Sequence, residues 1–243
     1  MRLFDRQGVP LSPFRRPPPT RRLVRLYAGL ALYGASDALL IRGDLGLDPW
    51  DVLHQGLSRH TGISIGAVSI VLGAAVMLLW WPLRQRPGLG TISNVFLVGI
   101  VIDLTLAVVP PREALAVRIP LLLAGVVLNG AATGLYITAR FGPGPRDGLT
   151  TGLHRRTGHS LRLIRSGIEF TVLAVGYLLG GGVGIGTVLY AVAIGPLAQF
   201  FLRRFDRRLG NGFDSGSGRV VSGSAVVVRE APEPVRPGRV DPI

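Results

Sequence analysis

The sequence predicts an all-α membrane protein. Six transmembrane helices are expected in two inverted three-helix repeats, each with a short interfacial or re-entrant helix after its first span. Three observations lead there. Of 243 residues 48% are hydrophobic and only 17% charged, whereas an ordinary soluble domain carries about a quarter charged residues. All 27 basic residues are arginine, and against 14 acids they leave a net charge of +13 that is clustered between long apolar runs. A constant offset of 96 residues aligns the two halves of the chain without a gap.

The spans follow from length, since about 20 apolar residues cross a hydrocarbon core of roughly 30 Å as a helix. Six runs qualify: Leu23 to Gly43, Ile63 to Leu83, Leu89 to Val109, Ile119 to Ala139, Leu161 to Leu179 and Ile185 to Leu202. The fifth is the weakest because it holds Arg162, Arg165 and Glu169. Trp80 and Trp81 fall where an interfacial aromatic belt belongs. Residues 1–22 read as a disordered arm rich in arginine and proline, 23–109 as the first repeat, 119–205 as the second, inverted repeat, and 210–243 as a disordered tail. The first apolar run is too long for a signal-peptide core and no small-residue cleavage site follows it.

Arginine placement sets the expected orientation. Seven arginines lie at or before Arg25. Arg84 and Arg86 follow the second span, Arg140, Arg146, Arg155 and Arg156 the fourth, and Arg203, Arg204, Arg207 and Arg208 the sixth. All four regions share one side if the chain crosses six times, while the other side holds only Arg42, Arg59, Arg112 and Arg118. The positive-inside rule then places both termini in the cytoplasm and the protein in the bacterial cytoplasmic (inner) membrane, its arm within reach of anionic lipid headgroups.

The repeat is densest between Gly34 and Ser64, where 14 of 31 positions recur 96 residues later. Gly46, Pro49, Asp51, Gly56 and Gly62 become Gly142, Pro145, Asp147, Gly152 and Gly158; Gly90 and Thr91 become Gly186 and Thr187. Three spans per unit is an odd number, so the second unit lies upside down relative to the first. Inverted repeats of this kind are an architecture of secondary transporters.

The pattern G-x-x-P-x-D-x-L-x-x-G-L-x-x-x-T-G-x-S, with a Gly-Thr opening the next span, resembles the YczE/YyaS/YitT family of bacterial integral membrane proteins, and YczE proteins most closely. Gly46, Pro49, Trp50, Asp51, Gly56, Thr61, Gly62, Gly90 and Thr91 carry the resemblance in the first half, whereas the second half has Arg146 in place of Trp50. The resemblance covers roughly residues 23 to 205. It implies a polytopic inner-membrane protein and a candidate transporter, and names no substrate.

Asp48-Pro49-Trp50-Asp51 reads as a helix start, with Asp48 as N-cap, and Gly62 as its stop. Trp50, Leu53 and Leu57 share one face, which favours an amphipathic helix in the interface over a re-entrant half-helix, because Arg59, His60, Arg155 and Arg156 are costly at depth. The same acid in both halves keeps the re-entrant alternative open. With Asp51 and Asp147 beside the helix N-termini, a proton, a cation or a neutral polar solute suits the site better than an anion.

Candidate pathway residues are Asp51, Asp147, Asp37, Asp103, Asn129 and Gln199. Asp37 pairs with Arg42 or serves function, Asp103 lies toward the end of its span, and Glu169 pairs with Arg165 one turn before it. Asn129 and Gln199 read first as interhelical glue. Gly130 and Gly134, like Gly90, Thr91, Gly186 and Thr187, read as packing positions.

Catalysis is not expected. His54, His60, His154 and His159 show no metal-ligand spacing, cysteine is absent, and no nucleophile motif occurs, so neither metal nor cofactor is called for. Topology already accounts for the arginines, which removes the case for nucleic acid. Two functions remain: a secondary transporter of an unknown small solute working by alternating access, or a non-transporting scaffold or regulatory partner.

Overall fold

A computed structural model describes residues 19–206 as eight helices: α1 (Pro19–Gly43), α2 (Pro49–Thr61), α3 (Ile65–Leu79), α4 (Leu89–Val108), α5 (Leu115–Ala139), α6 (Pro145–Thr157), α7 (Leu161–Leu178) and α8 (Ile185–Asp206). Most of the arm and the tail lie outside the described residues. Pro19 to Arg22, placed by the sequence in the arm, instead form the first turn of α1, because Arg22 donates to the carbonyls of Ala139 and Arg140 at the end of α5.

Local chemistry explains the helix boundaries. Asp48 caps α2 by accepting from the Asp51 backbone N–H at 2.7 Å, and Pro49 opens the first turn. Gly62 closes α2 and Gly158 closes α6 in the left-handed region, each with φ of 71°. Ser64 and Ser160 then start α3 and α7 by accepting from the backbone N–H groups of Ala67 and Leu163.

Among the described residues four helices, α1, α4, α5 and α8, are long and apolar enough to cross a membrane, and α2 with α3, bent by 113°, forms either a broken span, which would make five, or a re-entrant loop. The 15 residues of α3 reach only about 22 Å at 1.5 Å per residue. Its run is cut at the front by the Ser64 cap and at the back by the turn at Trp80. The charges of α7 lower its hydropathy. Large apolar side chains such as Val71, Leu104, Phe170, Val188 and Val192 point outward and are more than half exposed, as suits helices whose solvent is lipid.

Every element of the first half recurs in the second. The bounds of α1 and α2 plus 96 are those of α5 and α6, and α3 and α4 start 96 residues before α7 and α8. The equivalent helices α1 and α5 run antiparallel. Arg118 at the start of α5 donates to Gly43 O at 2.8 Å, Asn129 meets Ser36 and Asp37 halfway, and Arg22 donates to Ala139 O at 3.1 Å. Contacts across the halves are reciprocal: Gly90 N–H donates to Phe141 O at 2.9 Å, and Gly186 N–H to Leu45 O at 2.7 Å. Gly34 lies against Val98 and Val101 of α4, as Gly130 and Gly134 lie against Leu197 and Phe201 of α8.

Each short helix packs on the opposite half. The α2 helix lies along α7 and α6 along α3, so the halves interlock. Residues Trp50 to Gly56 of α2 are buried on every face, not on the single Trp50, Leu53 and Leu57 face expected of an interfacial helix, because α7 covers the side that a surface helix would expose.

Candidate functional site

The N-terminal ends of α2 and α6 are buried in the middle of the helical assembly, and their arginine-bearing C-terminal ends are exposed. Arg59 donates to Gly180 O, and Arg156 to Pro82 O at 3.1 Å, so the charges that argued against depth sit at the outer ends. Between the two buried ends lies a cavity of about 290 Å³. Asp48, Trp50 and His54 line it from the α2 side, Arg146, Asp147 and Thr150 from α6, Tyr33 and Tyr136 from α1 and α5, Arg165 and Glu169 from α7, and Tyr190 from α8.

Trp50 and its equivalent 96 residues later, Arg146, meet each other here. The Arg146 guanidinium carbon stands 4.7 Å from the centre of the Trp50 ring, a cation–π contact, and Arg146 Nη1 lies 3.8 Å from Asp48 Oδ2. Asp48 is 2% exposed.

Behind Asp48 lies a second layer of acids. One carboxylate oxygen from each of Asp37, Asp48 and Asp51 falls within 4.8 Å of the others. Asp37 Oδ1 accepts from Asn129 Nδ2 at 2.8 Å, and Asn129 Oδ1 accepts from the Tyr190 hydroxyl at 3.1 Å. Asp51 Oδ1 lies 3.0 Å from His54 Nδ1, which donates in the tautomer protonated there. The second oxygens of Asp37 and Asp51 are buried without a protein partner.

Of the residues singled out from the sequence, the structure brings Asp37, Asp51 and Asn129 into one cluster and sets Asp147 on the cavity wall. Asp37 does not pair with Arg42, which donates instead to Leu106 O. Asp103 stands apart from the cavity: it accepts from Ser64 Oγ at 2.6 Å and from Gly66 N–H at 2.9 Å, reinforcing the start of α3. Gln199 is half-buried on α8 and makes no side-chain hydrogen bond to the described residues. Glu169 pairs with Arg165 at 2.8 Å, and Thr91 Oγ1 donates to Pro143 O at 2.7 Å.

Sequence reasoning missed Tyr33, Trp50, His54, Arg146 and Tyr190 as site residues, and treated Asp48 as a cap only. One signal was available. Trp50 and Arg146 occupy the same position of the repeated motif, between the shared proline and aspartate, and a position near the axis relating two equivalent halves touches its own counterpart.

Comparison with known proteins gives the family. Residues 20–203 match the model of a family of unknown function, DUF6198. The chain is 42% identical over 177 residues to an uncharacterized protein of Haemophilus influenzae, covering 73% of this chain and 81% of that one. It is 34% identical over 178 residues to the uncharacterized membrane protein YczE of Bacillus subtilis, covering 72% and 83%. To the uncharacterized protein YyaS of the same organism it is 28% identical over 183 residues, covering 74% and 91%. No solved structure matches. With a family model spanning nearly all of the described residues and apolar helices exposed to lipid, the chain is an integral membrane protein of the DUF6198 family, akin to YczE and YyaS.

Proposed function

We propose that the protein is a secondary transporter of the bacterial cytoplasmic membrane that moves a small cationic or neutral polar solute by alternating access. The observation that carries this reading is the cavity between the buried ends of α2 and α6, where polar and charged side chains from both halves converge. At about 290 Å³ it is close to the lower bound of ordinary ligand pockets. Antiparallel packing of the equivalent helices α1 and α5, with reciprocal contacts throughout, favours two inverted repeats of three spans each. In that arrangement α2 and α6 are re-entrant half-helices that enter from opposite faces and meet at the cavity, which lies between elements able to rock against each other. Both termini are then cytoplasmic, with the arginine-rich regions near anionic headgroups.

The chain has no cysteine, which permits direct tests. Single cysteines at Ser58 and His154, at the outer ends of α2 and α6, are expected to label with an impermeant maleimide from opposite sides of the membrane. Labelling of both from one side removes the inverted topology. A single cysteine at Thr150, on the cavity wall, is expected to react from either side in oriented vesicles as the protein alternates. Reaction from one side only overturns alternating access. Asp51→Asn and Asp147→Asn should leave insertion intact and lower proton-coupled solute flux, and wild-type flux in both would remove these acids from the mechanism.

A further inference from the structure

We propose that Asp37, Asp48 and Asp51 form a binding site for one hard divalent cation beside the central cavity. Donor chemistry comes first. The three side chains present carboxylate oxygens within 4.8 Å of one another, at 1%, 2% and 0% exposure, and clustered oxygen donors of this kind suit calcium, magnesium or manganese over the softer metals.

The unpartnered oxygens are the second, separate observation. Oδ2 of Asp37 and Oδ2 of Asp51 are both buried and accept nothing from the protein, although a buried carboxylate oxygen is costly to leave unpaired. Their Oδ1 atoms are held in place: Asn129 donates to Asp37 while its own carbonyl oxygen accepts from Tyr190, and His54 sits against Asp51. Such fixed outer partners orient carboxylates toward an ion. Charge points the same way. Three carboxylates face the one guanidinium of Arg146, which reaches only Asp48 and only at 3.8 Å. With all three ionised, the two negative charges left over match a divalent ion.

Position gives the ion a route. Asp48 and His54 line the cavity, while Asp37 and Asp51 lie behind them, so an ion entering the cavity reaches the cluster past Asp48. The second half lacks the equivalent site. Thr133, Gly144 and Asp147 stand where the first half has Asp37, Asp48 and Asp51, leaving one acid of three.

The inference deepens the carrier reading by placing a cation at the cavity wall, but its test reads binding to purified full-length protein in detergent, where transport plays no part. Loss of free Mn²⁺ signal in electron paramagnetic resonance is expected to show one Mn²⁺ taken up per chain and released by excess Mg²⁺ or Ca²⁺. Asp37→Asn and Asp51→Asn are expected to weaken uptake by about tenfold or more, and Asp103→Asn, outside the cluster, to bind like the wild type. Should either asparagine variant fail to fold, Asp48→Asn, whose side chain retains a cap-accepting oxygen, replaces it. Folded wild-type protein that takes up no Mn²⁺ overturns the site, and so does uptake that survives unchanged in every cluster variant. Such a result combined with two-sided labelling of the Thr150 cysteine would remove the cation and leave the carrier reading standing.

Discussion

The short helices α2 and α6 are the same backbone device carrying different chemistry. Both open on Pro-x-Asp, run 13 residues and end on a glycine with φ of 71°. The α2 side gathers Asp37, Asp48, Asp51 and His54, and the α6 side offers Arg146, Asp147 and Thr150. Packing differs in a compensating way. Gly176 of α7 lies against Val52 and Leu53 of α2, whereas in the equivalent contact Gly148 of α6 lies under Trp80. The glycine has moved from the long helix to the short one and the bulky residue has crossed to its partner. The shape of the interlock is kept in both halves, while the chemistry lining the cavity is unequal.

Several variants test how far the two halves have diverged, beginning with the largest expected effect. Arg146→Met removes the guanidinium facing the buried Asp48 and is expected to cost about 3 kcal/mol of unfolding free energy in detergent. Adding Asp48→Asn should return much of it, and additive losses in the double-mutant cycle would separate the two residues energetically. Gly148→Ala drives a methyl group into the Trp80 ring and is expected to lower stability by about 1–3 kcal/mol. A neutral result from the same unfolding titration would mean that the α6 interlock is looser than its α2 counterpart.

Smaller differences follow at the helix caps. Ser64→Ala and Ser160→Ala each remove a cap worth about 1 kcal/mol, but Ser64 also donates to Asp103 at 2.6 Å, so its loss should be the greater of the two. Equal melting shifts would cancel that asymmetry. Gly144→Asn supplies the side-chain cap that α6 lacks and Asp48 gives α2, with an expected gain of a few tenths of a kcal/mol.

Much of the fold could be read from single residues. Asp48 with Pro49 announced the start of α2 and Gly62 its end, and the offset of 96 carried both onto α6. The candidate site was legible only in part. Asp37 and Asp51 were identified as separate acids, yet nothing local joined them, because they lie on different helices and meet only once α2 folds back under α1. Asp103 looked equally promising by its depth in an apolar run, and its role at the start of α3 emerged only from its bonds to Ser64 and Gly66. The expectation of a single buried face on α2 failed because the amphipathic pattern records which side chains are apolar, not whether a neighbouring helix covers the remaining face.

By itself the sequence determined that this chain is a helical membrane protein built from two related halves, since apolar length, arginine clustering and a repeated motif are properties of the residues in order. Tertiary structure alone decided that the halves interlock, that Trp50 meets Arg146, and that three carboxylates and a cavity lie between the buried helix ends. The physical reason is range. Hydropathy and capping act within a few turns of one helix, whereas the carboxylates come from α1 and the start of α2, and Trp50 meets Arg146, and Asp37 meets Asn129, across more than ninety positions.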